Sequence, residues 1–202
     1  MTARPVKLLL ASRSPRRLDI LRQLALDPEV RVASIDEALL PGEQPLEHVE
    51  RLARAKAELA SLDVPGALVI GGDTIVLRDR RVMGKPENAA HAQQMLMSLA
   101  GRSHEVLSAL ALTGAHGVVS GVNRTTVHFR DFDASTARRY VETGEPMDKA
   151  GGYGIQGLGA ALVAGLDGDY YSVVGFPVGV FLDLLSRAGW RYDFGQITRV
   201  PP

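Results

Sequence analysis

The sequence predicts an α/β fold, a mixed twisted sheet with helices on its flanks. Short apolar runs such as Lys7–Ala11 and Ala67–Gly71 alternate with longer stretches whose apolar residues recur at helical spacing. Two further runs, Glu105–Leu112 and Val118–Arg130, meet across Gly114 to Gly117, the turn chemistry of a hairpin, which argues against a purely parallel sheet. A hydrophobic content of 46% is that of an ordinary globule and excludes wholesale disorder. At 202 residues the chain is expected to form a single domain, residues 1–202, large enough to bury a core without disulfides or a structural metal.

Each element has a local reason. Lys7–Ala11 reads as a buried strand. Ser14 and Pro15 then offer an N-cap and a proline at the first helical position, with Leu18, Leu21, Leu24 and Ala25 as the apolar face. Arg31–Ser34 is expected to be a second strand. Pro45–Ser61 carries Leu46, Val49, Leu52, Ala53 and Ala60 at helical spacing. Ala67–Gly71 and Thr74–Leu77 read as two strands separated by a glycine-acid break. Ala89–Leu99 is a predicted helix stopped by Gly101, Ser135–Glu142 one that ends at Gly144, and Val178–Ala188 the last. Ala160–Leu166 and Ser172–Val174, joined at Asp167-Gly168, form a second predicted hairpin. Residues 191–202 are a polar tail without an assigned element.

Charge and composition then narrow the function. Lys plus Arg number 23 and Asp plus Glu number 23, so there is no surplus of positive charge to neutralise nucleic-acid phosphates. The same balance removes any whole-molecule field, and an anion site must therefore be built locally. Cysteine is absent, which excludes thiol catalysis and zinc-thiolate sites. No run approaches the roughly 18 apolar residues of a membrane span, and Leu8–Ala11 is too short for a signal-peptide core. A cytoplasmic protein with neither a membrane nor a nucleic-acid partner is expected. The P-loop, H-E-x-x-H and G-x-S-x-G motifs are missing, and histidines 48, 91, 104, 116 and 128 lack metal-ligand spacing.

Six segments carry chemistry. Ala11-Ser12-Arg13-Ser14-Pro15-Arg16-Arg17 lies between a strand and a helix, where free N–H groups and the helix dipole favour an anion. Arg16 and Arg17 oppose that dipole, a cost an anionic ligand offsets; the alternative is two solvated arginines on an exposed turn. In Ile70-Gly71-Gly72-Asp73-Thr74 a carboxylate leaves the end of an apolar strand, suited to a general base or a metal ligand, or else to a tight turn. Lys56 falls inside the apolar stripe of its helix and must either snorkel or find a partner. Lys85, in Gly84-Lys85-Pro86, and the paired acids of Ile35-Asp36-Glu37 are loop residues that read as solvated when taken alone. The stretch from Gly144 to Gly157 contains Gly152-Tyr-Gly154-Ile-Gln-Gly157, the letters of a dinucleotide fingerprint. That fingerprint must follow a buried strand, and Glu-Pro-Met-Asp-Lys precedes it here. What remains is a glycine-rich loop bearing Lys149, Tyr153 and Gln156, or a merely flexible one.

In chain order, Leu-Leu-Leu-Ala-Ser-Arg-Ser-Pro-Arg-Arg from Leu8, Ile-Asp-Glu, Arg-Ala-Lys-Ala, Gly-Gly-Asp-Thr-Ile-Val, Gly-Lys-Pro, the run from Gly144 to Gly157 and Val-Val-Gly-Phe-Pro resemble the Maf family of nucleoside triphosphate pyrophosphatases. The blocks extend from Lys7 to about Leu185, and the first and the glycine-rich ones are highly specific. The resemblance implies two lobes around a central cleft, a fold related to the inosine triphosphatases. It implies hydrolysis of a nucleoside triphosphate to the monophosphate and pyrophosphate, with Mg²⁺ or Mn²⁺ and as a homodimer. Lys149-Ala-Gly-Gly-Tyr-Gly-Ile-Gln156 is similar to the branch acting on dTTP and UTP rather than the one acting on 7-methyl-GTP. Matching positions imply Asp73 as the catalytic proton acceptor, and Arg16, Thr74 and Gln156 as residues that shape substrate choice. Lys56 and Lys85 complete the catalytic set, Ser14, Arg17 and Lys149 the substrate-binding set. The sequence departs slightly, with Gly72 where alanine is commoner and Phe176 where leucine is usual.

These expectations fit together physically. A triphosphate brings about four negative charges, which Arg16, Arg17, Lys56 and Lys85 compensate locally. Glu37 and Asp73 are expected to hold the Mg²⁺ or Mn²⁺ that bridges phosphate oxygens and polarises water. A non-catalytic, nucleotide-binding regulator of septum formation is the rival reading. It has no need of carboxylates facing an anion, so the two acids favour catalysis.

Overall fold

The computed structural model describes residues 6–114 and 117–200. His116 and the centre of the predicted turn between Gly114 and Gly117 lie outside them, as do residues 1–5 and 201–202.

The sheet has parallel and antiparallel pairs, as the sequence predicts. β1 (Leu8–Ala11) pairs in parallel with β2 (Glu29–Val30) on one side and β3 (Leu68–Arg78) on the other. With β4 (Arg81–Met83), β5 (Ser103–Gly114), β6 (Gly117–Phe129) and β7 (Val163–Asp167), they form a seven-stranded sheet in the order β2-β1-β3-β5-β6-β7, β4 pairing with β3. The β3–β4 and β6–β7 pairs are antiparallel. The helices are α1 (Pro15–Gln23), α2 (Pro45–Ser61), α3 (Ala89–Leu99), α4 (Ala134–Glu142), α5 (Tyr170–Val174) and α6 (Val178–Arg187).

Four readings need correction. β2 lies earlier than Arg31–Ser34: Glu29 pairs with Lys7 at 2.8 Å, and the last sheet bond is Arg31 N–H to the Leu10 carbonyl at 3.0 Å. β3 runs unbroken for 11 residues through Gly71-Gly72-Asp73, so the glycines answer to packing rather than to a turn. The second predicted hairpin does not form. Gly168 (φ 131) turns the chain out of β7, the Asp169 carboxylate accepts from Tyr171 N–H at 2.8 Å, and residues 170–174 become α5. Finally, the polar tail contains an antiparallel pair, β8 (Trp190–Tyr192) and β9 (Ile197–Arg199), and Tyr192 donates to the Leu24 carbonyl at 2.9 Å.

The chain divides into two compact units, and β3, β5 and β6 each contribute residues to both. The first holds the residues up to Asp73, Ser108–Asn123 and those from Gly175 onward. Its core is apolar and fully buried: Leu9, Leu10, Ile20, Leu21, Leu52, Ile70, Phe176 and Phe181. The second comprises Thr74–Leu107 and Arg124–Val174. There α3 packs on α4, and His104, Phe129 and Tyr153 form an aromatic cluster with centroids 4.7 to 5.3 Å apart. Among the described residues no helix is long and apolar enough to cross a membrane.

His104 gives the fold a pH signature. It is buried, with Nε2 2.7 Å from the Tyr153 hydroxyl, and burial pushes its pKa from 6.5 down to about 4. The native imidazole is therefore neutral where the unfolded one already binds a proton. Its contribution is complete above pH 6.5 and lost progressively as pH falls to about 4, a span of about 3 kcal/mol at most. His104→Phe is expected to flatten the fall in urea midpoint between those pH values. An unchanged slope assigns the acid lability elsewhere.

Candidate active site

The first unit assembles its charged cluster from four short pieces of chain, the segment after β1, the Glu37 loop, α2 and β3. After β1, the Ser12 hydroxyl accepts from Ser14 N–H at 3.2 Å and from Arg17 at 2.8 Å. Ser14 occupies the N-cap of α1 and Pro15 its first turn, as the sequence predicts, but the Ser14 side chain makes no capping bond. Arg17 turns inward, 8% exposed, and its Nε donates to the Gly175 carbonyl at 2.8 Å. Burial lowers its pKa, while the nearby Asp73 and Glu37 carboxylates work to raise it and Arg16 to lower it. A guanidinium stays charged even so. It is a fixed cation, and the solvated-turn alternative fails for Arg17.

Glycine decides how close α2 comes. A Cβ at Gly71 would overlap the Ala53 carbonyl oxygen and lie 2.7 Å from Ala57 N, so the helix backbone rests directly on β3. That contact brings Lys56, on the same face of α2, to Asp73 near the middle of β3. The Lys56 Nζ lies 2.7 Å from Asp73 Oδ1 and 2.6 Å from Glu37 Oε1. The lysine and aspartate side chains are 11% and 13% exposed, that of Glu37 61%. Lys56 does not snorkel; it joins two carboxylates. At Gly72, a Cβ would stand 3.1 Å from Arg17 Nε, so the departure from alanine gives the guanidinium room.

The second unit holds the other candidates. Thr74 follows Asp73 on β3 and is half-buried, while Lys85 is exposed between β4 and α3. The glycine-rich segment forms three short 3₁₀ turns, Glu145–Asp148, Ala150–Gly152 and Leu158–Leu162. A 3₁₀ turn thus stands where a dinucleotide fingerprint requires a strand. Gly151 adopts φ 73 against the Val76 side chain and donates to the Gly84 carbonyl at 3.1 Å, which ties this loop to the neighbour of Lys85. Lys149 Nζ donates to the Glu145 carbonyl and to Asp148, each at 2.6 Å. Gln156 is exposed.

Two residues with structural weight had no assigned role in the sequence. Ser12 is the joint between β1 and Arg17. Glu145 organises the loop: it accepts from the Tyr140 hydroxyl at 2.8 Å, Leu158 N–H at 2.8 Å and Gly159 N–H at 3.1 Å. Burial works to raise the Glu145 pKa, but those donors and Lys149 outweigh it and hold the carboxyl below its usual range. The available signal was their position inside the two most specific blocks.

Glu37 and Asp73 offer hard oxygen donors that already converge on one positive centre, the Lys56 ammonium. Among the described residues no group of three or more His, Asp or Glu side chains is placed to hold a metal ion. One or two carboxylates suit Mg²⁺ or Mn²⁺ when phosphate oxygens and water complete the shell, so the donor set fits a cation that arrives with a nucleotide.

Residues 7–188 match the model of the Maf-like protein family. A relative from Symbiobacterium thermophilum named dTTP/UTP pyrophosphatase is 47% identical over 184 residues, covering 91% of this chain and 95% of its own. Relatives of the same name from Moorella thermoacetica and Myxococcus xanthus are each 45% identical, covering 91% and 95% of this chain and 95% and 99% of their own. Among solved structures, the Ham1 protein of Staphylococcus aureus aligns with a TM-score of 0.44 and 15% identity over 61% of this chain and 72% of that one. With the family model spanning nearly the whole chain and near-full-length relatives above 40% identity, this chain belongs to the Maf family.

Proposed function

We propose that this chain is a nucleoside triphosphate pyrophosphatase that hydrolyses dTTP and UTP to the monophosphate and pyrophosphate. The observation that carries the reading is the junction of Glu37 and Asp73 on Lys56. A site that only bound a triphosphate with its cation would need no proton acceptor at that junction, whereas hydrolysis does. Full-length relatives named dTTP/UTP pyrophosphatase support the same reaction and the same substrates.

Glu37 and Asp73 would hold a divalent cation, which supplies charge neutralisation and electrophilic activation of the phosphate when bound. Arg17, already desolvated and anchored by Ser12 and Gly175, meets developing phosphoryl charge without reorganising. Arg16 and Ser14 bind phosphate oxygens at the start of α1, and Lys85 and Lys149 add positive charge. Asp73 accepts the proton of the water that attacks the α-phosphorus, and Lys56 shifts from its carboxylates toward the phosphates. Gln156 pairs its amide with the O4 and N3–H edge of uracil or thymine, and Thr74 helps shape substrate choice. A cytoplasmic homodimer completes the reading.

The test is pyrophosphate release from dTTP, UTP, CTP, GTP and 7-methyl-GTP, with Mg²⁺ or Mn²⁺ and with EDTA. Metal-dependent turnover led by dTTP and UTP is expected. Gln156→Ala is expected to reduce kcat/KM for both about tenfold or more and to narrow their lead over CTP. Turnover led by 7-methyl-GTP overturns the substrate assignment, and binding without turnover favours a regulator.

A further inference from the structure

From Asp36 to Gly42 the segment that presents Glu37 is exposed throughout. Leu39 and Leu40, which follow it, are 52% and 50% exposed, and Glu37 and Ala38 are also exposed. A carboxylate on so open a loop needs something else to hold it against Lys56. One side chain of that loop is buried: the Glu43 carboxylate is 8% exposed. It accepts from Leu40 N–H at 3.0 Å within the loop and from Arg51 Nε at 2.5 Å and NH2 at 2.9 Å on α2. The His48 ring nitrogen Nδ1 lies 2.9 Å from it. Arg51 reaches past Glu43 and donates to the Ala38 carbonyl at 3.0 Å, one residue from Glu37. Its guanidinium holds the Glu43 carboxyl down at about 2, so the pair stays charged at any working pH.

Arg51 and Lys56 are five residues apart on α2, a rise of about 7.5 Å. The helix that carries the lysine between Glu37 and Asp73 therefore also carries the arginine that grips the Glu37 loop at both ends. Resting on the pyrophosphatase reading, we infer that Arg51 and Glu43 form a clamp that positions Glu37 for the divalent cation. They are positioning residues, touching neither nucleotide nor cation. Breaking the clamp frees the loop, leaves Asp73, Lys56 and Arg17 in place, and weakens the cation site specifically. Outer partners of metal ligands cost about 10- to 100-fold in affinity or activity when removed, and the expectation here is about tenfold.

The test compares wild type with Arg51→Ala, Arg51→Lys and Glu43→Gln. Mn²⁺ binding is followed by electron paramagnetic resonance in the presence of an α,β-imido analogue of dTTP, alongside kcat and KM for dTTP. Arg51→Ala and Glu43→Gln are expected to weaken Mn²⁺ about tenfold and to lower kcat at fixed subsaturating Mn²⁺, with KM for dTTP within about twofold. Arg51→Lys restores part of the loss, and higher Mn²⁺ restores turnover in all three. A merely structural role moves the thermal midpoint and leaves Mn²⁺ affinity unchanged, and that result in a folded variant overturns the clamp. If Arg51→Ala does not fold, Glu43→Gln decides the question by the same readout. Wild-type protein that turns over neither dTTP nor UTP overturns the pyrophosphatase reading, and the clamp with it. Normal wild-type turnover with unaltered Mn²⁺ affinity in the variants overturns the clamp alone.

Discussion

Asp73→Asn is expected to lower kcat for dTTP at least about a hundredfold, some 2.7 kcal/mol of transition-state stabilisation, while the fold stays intact. Asparagine preserves the shape of the side chain and a hydrogen-bond acceptor for Lys56, so the contact with α2 loses strength without opening a void. What disappears is the negative charge and the ability to take a proton. At saturating divalent cation KM should change little, because the weaker hold on the cation is offset by the loss of an anion beside the triphosphate. Steady-state pyrophosphate release and the urea midpoint together check both halves. Near-normal turnover removes Asp73 from the role of proton acceptor.

The second large effect is on stability. Gly71→Ala puts a methyl group into the Ala53 carbonyl oxygen, with Ala57 N at 2.7 Å and Ala57 Cβ at 2.9 Å. Two of those three atoms are backbone and cannot swing away as a flexible side chain can. Either α2 lifts off β3 or the strand shifts, and both separate Lys56 from Asp73. A cost of about 3 kcal/mol or more is expected, at the upper end of overpacking. Gly72→Ala is the internal control. Its new Cβ meets the Leu110 side chain at 3.0 Å and Arg17 Nε at 3.1 Å, and a change of about 1 kcal/mol suffices. Urea unfolding of both variants checks the contrast, and equal midpoints contradict close backbone packing at Gly71.

That pair of glycines also shows where reading the sequence succeeds and where it stops. Pro45–Ser61 and Ala89–Leu99 match the observed helices residue for residue, because apolar spacing and flanking signals agree locally. The inward position of Lys56 followed from the same periodicity. Gly-Gly-Asp read as a break because glycine usually ends strands, whereas its cause here is a helix brought in from 14 to 18 positions earlier in the chain. Asp167-Gly168 read as a hairpin because its turn letters mask a local Asp169 cap on Tyr171 N–H, and the Thr125 hydroxyl that accepts from Asp169 N–H lies 44 residues away. The clamp at Glu43 was invisible for a similar reason. A glutamate in Gly-Glu-Gln-Pro looks solvated until Arg51 is seen to fold back onto it. Residue type and spacing nominated Glu37, Lys56 and Asp73, resemblance implied their roles, and geometry supplied the contacts that make them one cluster.

The most direct test of the proposed chemistry is hydrolysis of dTTP in ¹⁸O-labelled water with Mg²⁺, followed by mass spectrometry of both products. Water attack on the α-phosphorus predicts one ¹⁸O in dTMP and none in the pyrophosphate. Label in the pyrophosphate instead places the attack on the β-phosphorus and contradicts the mechanism assigned to Asp73.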